Sequence, residues 1–113
     1  MMRGSCHCGA VGIQVPRAPD WVGSCNCSIC RRTGILWAYY RPDEVRIEAA
    51  DNATVPYVWG DRMLALHHCT SCGCISHWQP LFPDPDKMGV NALLLDGFDP
   101  SGVEIRLIDG ASF

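Results

Sequence analysis

Basic residues are scarce in this sequence, and that scarcity limits its partners. Nine lysines and arginines stand against twelve aspartates and glutamates, giving a formal net charge of −3. A nucleic-acid surface needs cationic side chains massed on one face, so no nucleic-acid partner is expected. Long apolar runs are missing too. No stretch approaches the roughly 20 residues that a membrane-spanning helix requires. The segment Met1-Met2-Arg3-Gly4-Ser5-Cys6 also lacks the apolar core of a secretory signal. The expectation is a cytoplasmic protein with no membrane contact. Apart from its cysteine turns the chain has no internal repeat, and it has no low-complexity tract and no interdomain linker. Its 113 residues are read as a single domain over 1–113.

What the chain does have is cysteine, eight in all, within a composition that is 48% hydrophobic and 19% charged. That balance is globular. A core of this size leaves little net stability once chain entropy is subtracted, so a covalent or metal staple is unsurprising. In a reducing compartment, a cysteine-dense chain binds metal or does thiol chemistry more often than it forms disulfides. Cysteines separated by one residue are, moreover, awkward to bridge to each other.

The pattern between the cysteines is that of short strands. Ala10 to Val15, Ile35 to Arg41, Val45 to Ala49, Val55 to Trp59, Met63 to His68, Cys74 to Trp78, Val90 to Leu95 and Val103 to Ile108 are rich in β-branched and aromatic residues. Turn formers such as Arg41-Pro42-Asp43 and Trp59-Gly60-Asp61 separate them. This predicts a mainly β, antiparallel architecture. One segment reads as helix, near residues 26–33, with Ser24 or Asn26 as a candidate N-cap and Gly34 placed to stop it.

All eight cysteines fall in three clusters: Cys6-His7-Cys8-Gly9, Cys25-Asn26-Cys27-Ser28-Ile29-Cys30 and Cys69-Thr70-Ser71-Cys72-Gly73-Cys74. The first and third each place two thiols on a turn that a glycine closes. Such a glycine tolerates positive φ, so backbone N–H groups can point back at the sulfurs. Two such turns can together supply the four thiolates of a closed structural zinc site from Cys6, Cys8, Cys69 and Cys72. The middle cluster offers three thiols, Cys25, Cys27 and Cys30, and so leaves one zinc position open for chemistry. A small thiol entering that position would be held deprotonated and could attack an aldehyde carbonyl. The competing reading is a second closed site completed by Cys74 or a histidine. That would make the protein a zinc-stabilised binding or scaffold module without catalysis.

Other residues are weighed more briefly. Arg31 and Arg32 follow the middle cluster and could clamp a substrate carboxylate, although adjacent helical side chains diverge. His67 and His68 fall on opposite faces of a strand, His7 lies between two ligands, and His77 alternates with apolar neighbours. These are expected to be structural or surface imidazoles. Trp37, Tyr39, Tyr40, Trp59 and Trp78 are expected in the core or on the sheet surface.

Three segments in order, Gly4-Ser5-Cys6-His7-Cys8-Gly9-Ala10-Val11, Cys25-Asn26-Cys27-Ser28-Ile29-Cys30-Arg31-Arg32 and Cys69-Thr70-Ser71-Cys72-Gly73, resemble the glutathione-dependent formaldehyde-activating enzyme family. Ala92-Leu93-Leu94-Leu95-Asp96 looks like that family's late strand. The resemblance implies an Mss4-like fold, in which antiparallel sheets are stapled by zinc. It implies two zinc ions per chain, a structural one on Cys6, Cys8, Cys69 and Cys72 and a catalytic one on Cys25, Cys27 and Cys30. It also implies a carbon-sulfur lyase that condenses glutathione with formaldehyde to S-hydroxymethylglutathione, with a small thiol such as glutathione as its partner. Cys74 is an eighth thiol for which the family pattern has no place; strand alternation puts it on the side of Cys72.

Overall fold

The computed structural model describes residues 1–112. Ten strands run in the order β1 (Met2–Ser5), β2 (Val11–Val15), β3 (Trp21–Cys25), β4 (Trp37–Tyr40), β5 (Arg46–Ala49), β6 (Thr54–Tyr57), β7 (Leu64–Cys69), β8 (Ile75–Pro80), β9 (Met88–Asn91) and β10 (Glu104–Ile108). A single helical turn, α1 (Cys30–Thr33), lies between β3 and β4. The fold is mainly β, as expected. A small sheet is ordered β1-β2-β5, and a larger one β10-β3-β4-β9-β8-β7-β6. Pairing is antiparallel except at one edge, where β10 lies parallel to β3 with Glu104 opposite Trp21 and Ile108 opposite Cys25. That single parallel pair departs from the purely antiparallel expectation, and it carries the end of the chain to the end of β3.

The run Trp37-Ala38-Tyr39-Tyr40 shows why an unbroken apolar stretch makes a strand here. β4 lies inside the larger sheet and both of its faces are covered. Ala38 and Tyr40 join Ile13, Val15, Val22, Met88 and Val90 in the layer between the two sheets. Trp37 turns the other way, into a cluster with Cys30, Ile35, Leu66 and Trp78. A third cluster of Cys6, Val11 and Cys69 lies where the small sheet meets the end of β7. Cysteines therefore belong to two of the three hydrophobic clusters.

Two expected elements differ. The predicted helix over 26–33 is one turn, Cys30–Thr33, with no side-chain cap at its start, and it ends at Gly34 in the left-handed region (φ 71°). Neither Ser24 nor Asn26 caps it: Ser24 lies in β3, and the Asn26 side chain bonds to the C-terminal segment instead. The strand expected over Val90–Leu95 stops at Asn91. The Asn91 side chain accepts from the Leu93 amide and turns Ala92–Leu94 into a 3-10 helix, leaving Leu95 only an isolated bridge to Gly4. Among the described residues no helix is long and apolar enough to cross a membrane.

Candidate metal centres

The first and third cysteine clusters each form a turn closed by a glycine, over four residues in the first and five in the third. In the first, the Gly9 amide donates to the Cys6 carbonyl (3.1 Å), and in the third the Gly73 amide donates to the Cys69 carbonyl (2.9 Å). Gly9 and Gly73 have φ of 84° and 81° with nothing near a would-be Cβ, so conformation alone calls for glycine at both. The turns meet because Cys6 follows β1 and Cys69 ends β7. The sulfurs of Cys6, Cys8, Cys69 and Cys72 all lie within 4.8 Å of one another. Cys8 Sγ is 3.7 Å from Cys6 Sγ and 3.6 Å from Cys69 Sγ. A zinc–sulfur bond of about 2.3 Å sets a tetrahedral edge of about 3.8 Å, so these spacings fit four thiolates around one ion. They are far too long for disulfides, and all eight cysteines are free thiols.

Backbone donors support the sulfurs. The amide of Val11 reaches Cys6 Sγ at 3.3 Å and that of Cys72 reaches Cys69 Sγ at 3.5 Å. The amides of Cys74 and Cys8 hold the Cys72 thiol down to about 5, well inside the range where it is thiolate at neutral pH. Cys74 packs with Cys6, Val11, Cys69 and Cys72 and so belongs beside this centre.

The second group is Cys25, Cys27 and Cys30, whose sulfurs also lie within 4.8 Å of one another. Cys25 ends β3, Cys27 sits in the following bend, and Cys30 opens α1. Among the described residues no fourth cysteine, histidine or carboxylate joins them within that distance. The candidates for a fourth ligand are elsewhere. Cys74 is at the other centre, and His67 and His77 stack on each other across β7 and β8 at 4.6 Å with planes 5° apart. His67 is held further by Thr54 and Gln79, each at 3.0 Å, and His77 by Ser76 at 2.8 Å. His7 is exposed and His68 half-buried.

The three sulfurs have unequal environments. Burial opposes ionisation of Cys27, but the amides of Cys30 and Ile29 and the neighbouring thiols bond its sulfur and hold it below the usual thiol range. Burial pushes Cys30 the other way, up to about 12, against the indole N–H of Trp37, which donates to Cys30 Sγ at 3.4 Å. A cation held among these sulfurs would offset the cost of ionising the buried Cys30. Tyr39 stands nearby, and burial followed by the negative field of Cys25, Cys30 and Cys27 raises its hydroxyl to about 12, so it keeps its proton.

A cavity of about 330 Å³ opens beside this centre, lined by Cys25, Cys30, Arg31, Leu107, Ile108 and Asp109 among others. The two arginines diverge as adjacent helical residues must. Arg31 faces the cavity, whereas Arg32 donates to the Ser28 carbonyl at 2.7 Å. Neither makes an ion pair among the described residues. Of the aromatics, Trp37 and Trp78 are buried beneath the three cysteines, with Tyr39 and Trp59 packed against them. Asn26, Asp109 and Gly110 also border the centre, and no local pattern marks Asp109 or Gly110 for it. The local cue is an asparagine between two cysteines, a position that a capping role also accounts for.

The family described as glutathione-dependent formaldehyde-activating enzyme matches residues 1–105, which include all eight cysteines. No curated protein matches the chain. Among solved structures, the crystal structure of a Rhodobacter sphaeroides protein is 32% identical, with a TM-score of 0.77 over 93% of this chain and 100% of that one.

Proposed function

The chain belongs to the glutathione-dependent formaldehyde-activating enzyme family, and on that premise we propose that it makes or breaks a carbon–sulfur bond in a small thiol adduct at Cys25, Cys27 and Cys30. The observation that carries this reading is the donor count: three sulfurs converge, and no fourth cysteine, histidine or carboxylate among the described residues joins them within 4.8 Å. Four sulfurs at the other centre are a complete tetrahedral set, with a structural role. The full complement is then two zinc ions per chain, one held by each cysteine group.

When bound, zinc at the three-cysteine centre would lower the pKa of a fourth sulfur and hold it as thiolate near neutral pH. The remaining work falls to the protein. Cys25, Cys27 and Cys30 fix where that sulfur sits. Arg31, on the cavity wall and without an ion pair among the described residues, is placed to bind a carboxylate of the thiol substrate. Trp37 and Trp78 close the centre from below and limit water access. In the forward direction the thiolate sulfur bonds to the carbon of formaldehyde, the C=O π bond breaks, and the oxygen takes up the proton that the thiol released. Glutathione plus formaldehyde thus gives S-hydroxymethylglutathione, with atoms and charge balanced.

The test is exchange spectroscopy by NMR on glutathione and formaldehyde at equilibrium. The protein should accelerate interconversion with the adduct beyond its spontaneous rate. Cys27→Ser should abolish the acceleration while leaving a folded protein with a single zinc. Full acceleration by that variant would sink the assignment.

A further inference from the structure

Beyond its last strand the chain makes a short turn that is fastened across the three-cysteine centre. The Ile108 carbonyl accepts from the Asn26 amide at 3.0 Å. The Asn26 side chain then uses both of its polar atoms: Nδ2 donates to Oδ1 of Asp109 at 3.0 Å, and Oδ1 accepts from the Ala111 amide at 2.9 Å. Ser112 braces Asp109 from the other side, its hydroxyl donating to Oδ2 at 2.6 Å. Gly110 lies between the two anchored residues. A Cβ there would collide with Cys25 Sγ and sit 3.3 Å from Cys27 Cβ. Gly110 is not among the positive-φ glycines, so space, and not conformation, calls for glycine at this position. Its backbone is therefore part of the wall around the sulfur of Cys25.

A fourth sulfur in a tetrahedral set stands as near to Cys25 as Cys27 and Cys30 do. The carbon that carries it must clear whatever packs on Cys25. We propose that the turn Asp109–Ser112 is a gate that selects thiols by branching at the carbon bearing the sulfur, with Asn26 as its latch and Gly110 as the surface that does the excluding. The inference rests on the open position at this centre. A primary thiol brings a CH₂ past Gly110. A tertiary thiol brings two further methyl groups into the space that the turn occupies. Asn26 is a positioning residue here, acting through Gly110.

The probe is the visible spectrum of the cobalt-substituted protein, titrated separately with cysteine and with penicillamine, which differs only by two methyl groups on the thiol carbon. The four-cysteine centre contributes a constant background. The wild-type centre should respond to cysteine at a concentration about tenfold or more below that needed for penicillamine, the scale of a steric overlap of this size. In Asn26→Ala, and in Asp109→Ala, which lies outside the cysteine motif and serves if the first variant loses metal, the two thiols should come within about threefold of each other. Equal response in the wild type, or an unchanged ratio in a metal-retaining variant, overturns the gate and leaves the open position intact. No spectral change with any thiol overturns both.

Discussion

At the scale of single residues, the two centres differ in what their sulfurs touch. The four-cysteine centre is supported by backbone amides, which any sequence supplies once the turn is made. The three-cysteine centre relies also on a side chain, the indole of Trp37, which is buried and donates to Cys30 Sγ at 3.4 Å. Burial alone would keep Cys30 protonated, so this donor matters to metal binding. Trp37→Phe keeps an aromatic ring in the cluster and removes only the N–H and part of the volume. Zinc affinity of the second centre should fall by about tenfold or more, while the first centre is unchanged. Competition against a chromogenic chelator, which resolves the two release steps, reads this directly. Loss of both zincs in parallel would mean that the tryptophan supports the fold and not Cys30.

At the scale of elements, α1 is a short device for aiming Cys30, and its end is better defined than its start. Gly34 closes it in the left-handed region, its amide donating to the Cys30 carbonyl, with open space around the missing side chain. Gly34→Ala therefore carries only the conformational cost, about 1 kcal/mol. For a domain of this size the thermal midpoint should drop by about 4 °C, with both metals retained. A drop of more than twice that would show that the turn aims more than Cys30. The start of the helix differs from the expected one for a physical reason. Asn26 satisfies the usual rule for a cap, yet its partners lie 83 and 85 residues away at Asp109 and Ala111, and no local pattern reveals such a pair. β1 and β3 carry little strand signal on similar grounds. Met-Arg-Gly-Ser and Trp-Val-Gly-Ser-Cys contain glycine and serine, which weaken a strand signal. Both glycines are there for close approach: a Cβ on Gly4 would collide with the Leu94 backbone, and one on Gly23 with Tyr39 and Ile108. The cysteine groups were legible because each keeps its thiols close in sequence on one short turn, a spacing suited to metal ligation. The strands with β-branched alternation were legible because local pattern and tertiary position agree.

At the scale of the whole molecule, two sheets share one apolar layer, and stability should depend on pH through buried titratable groups as well as through the cysteines. His77 is the clearest further contributor. It is buried, stacked on His67 at 4.6 Å and bonded to Ser76. Burial first, and then repulsion from His67, lower it from 6.5 to about 4. An unfolded chain binds a proton at this histidine below about pH 6.5, while the folded one resists until about pH 4. Between those values the unfolded state holds more protons, so the contribution is fully present above pH 6.5 and is lost as the pH falls toward 4. The full span of about 2.5 units corresponds to at most about 3 kcal/mol. Thiolate protonation and zinc release act in the same direction and would mask the effect in the wild type alone. The variant His77→Phe keeps a ring against His67 and cannot titrate, and Ser76 still has the His67 carbonyl at 3.4 Å. The difference in urea-unfolding free energy between wild type and variant, followed from pH 7 to pH 4.5, cancels the metal contribution common to both. That difference should shift steadily against the wild type as the solution is acidified. A flat difference across the range would place His77 at an ordinary imidazole pKa and remove it from the stability of the fold.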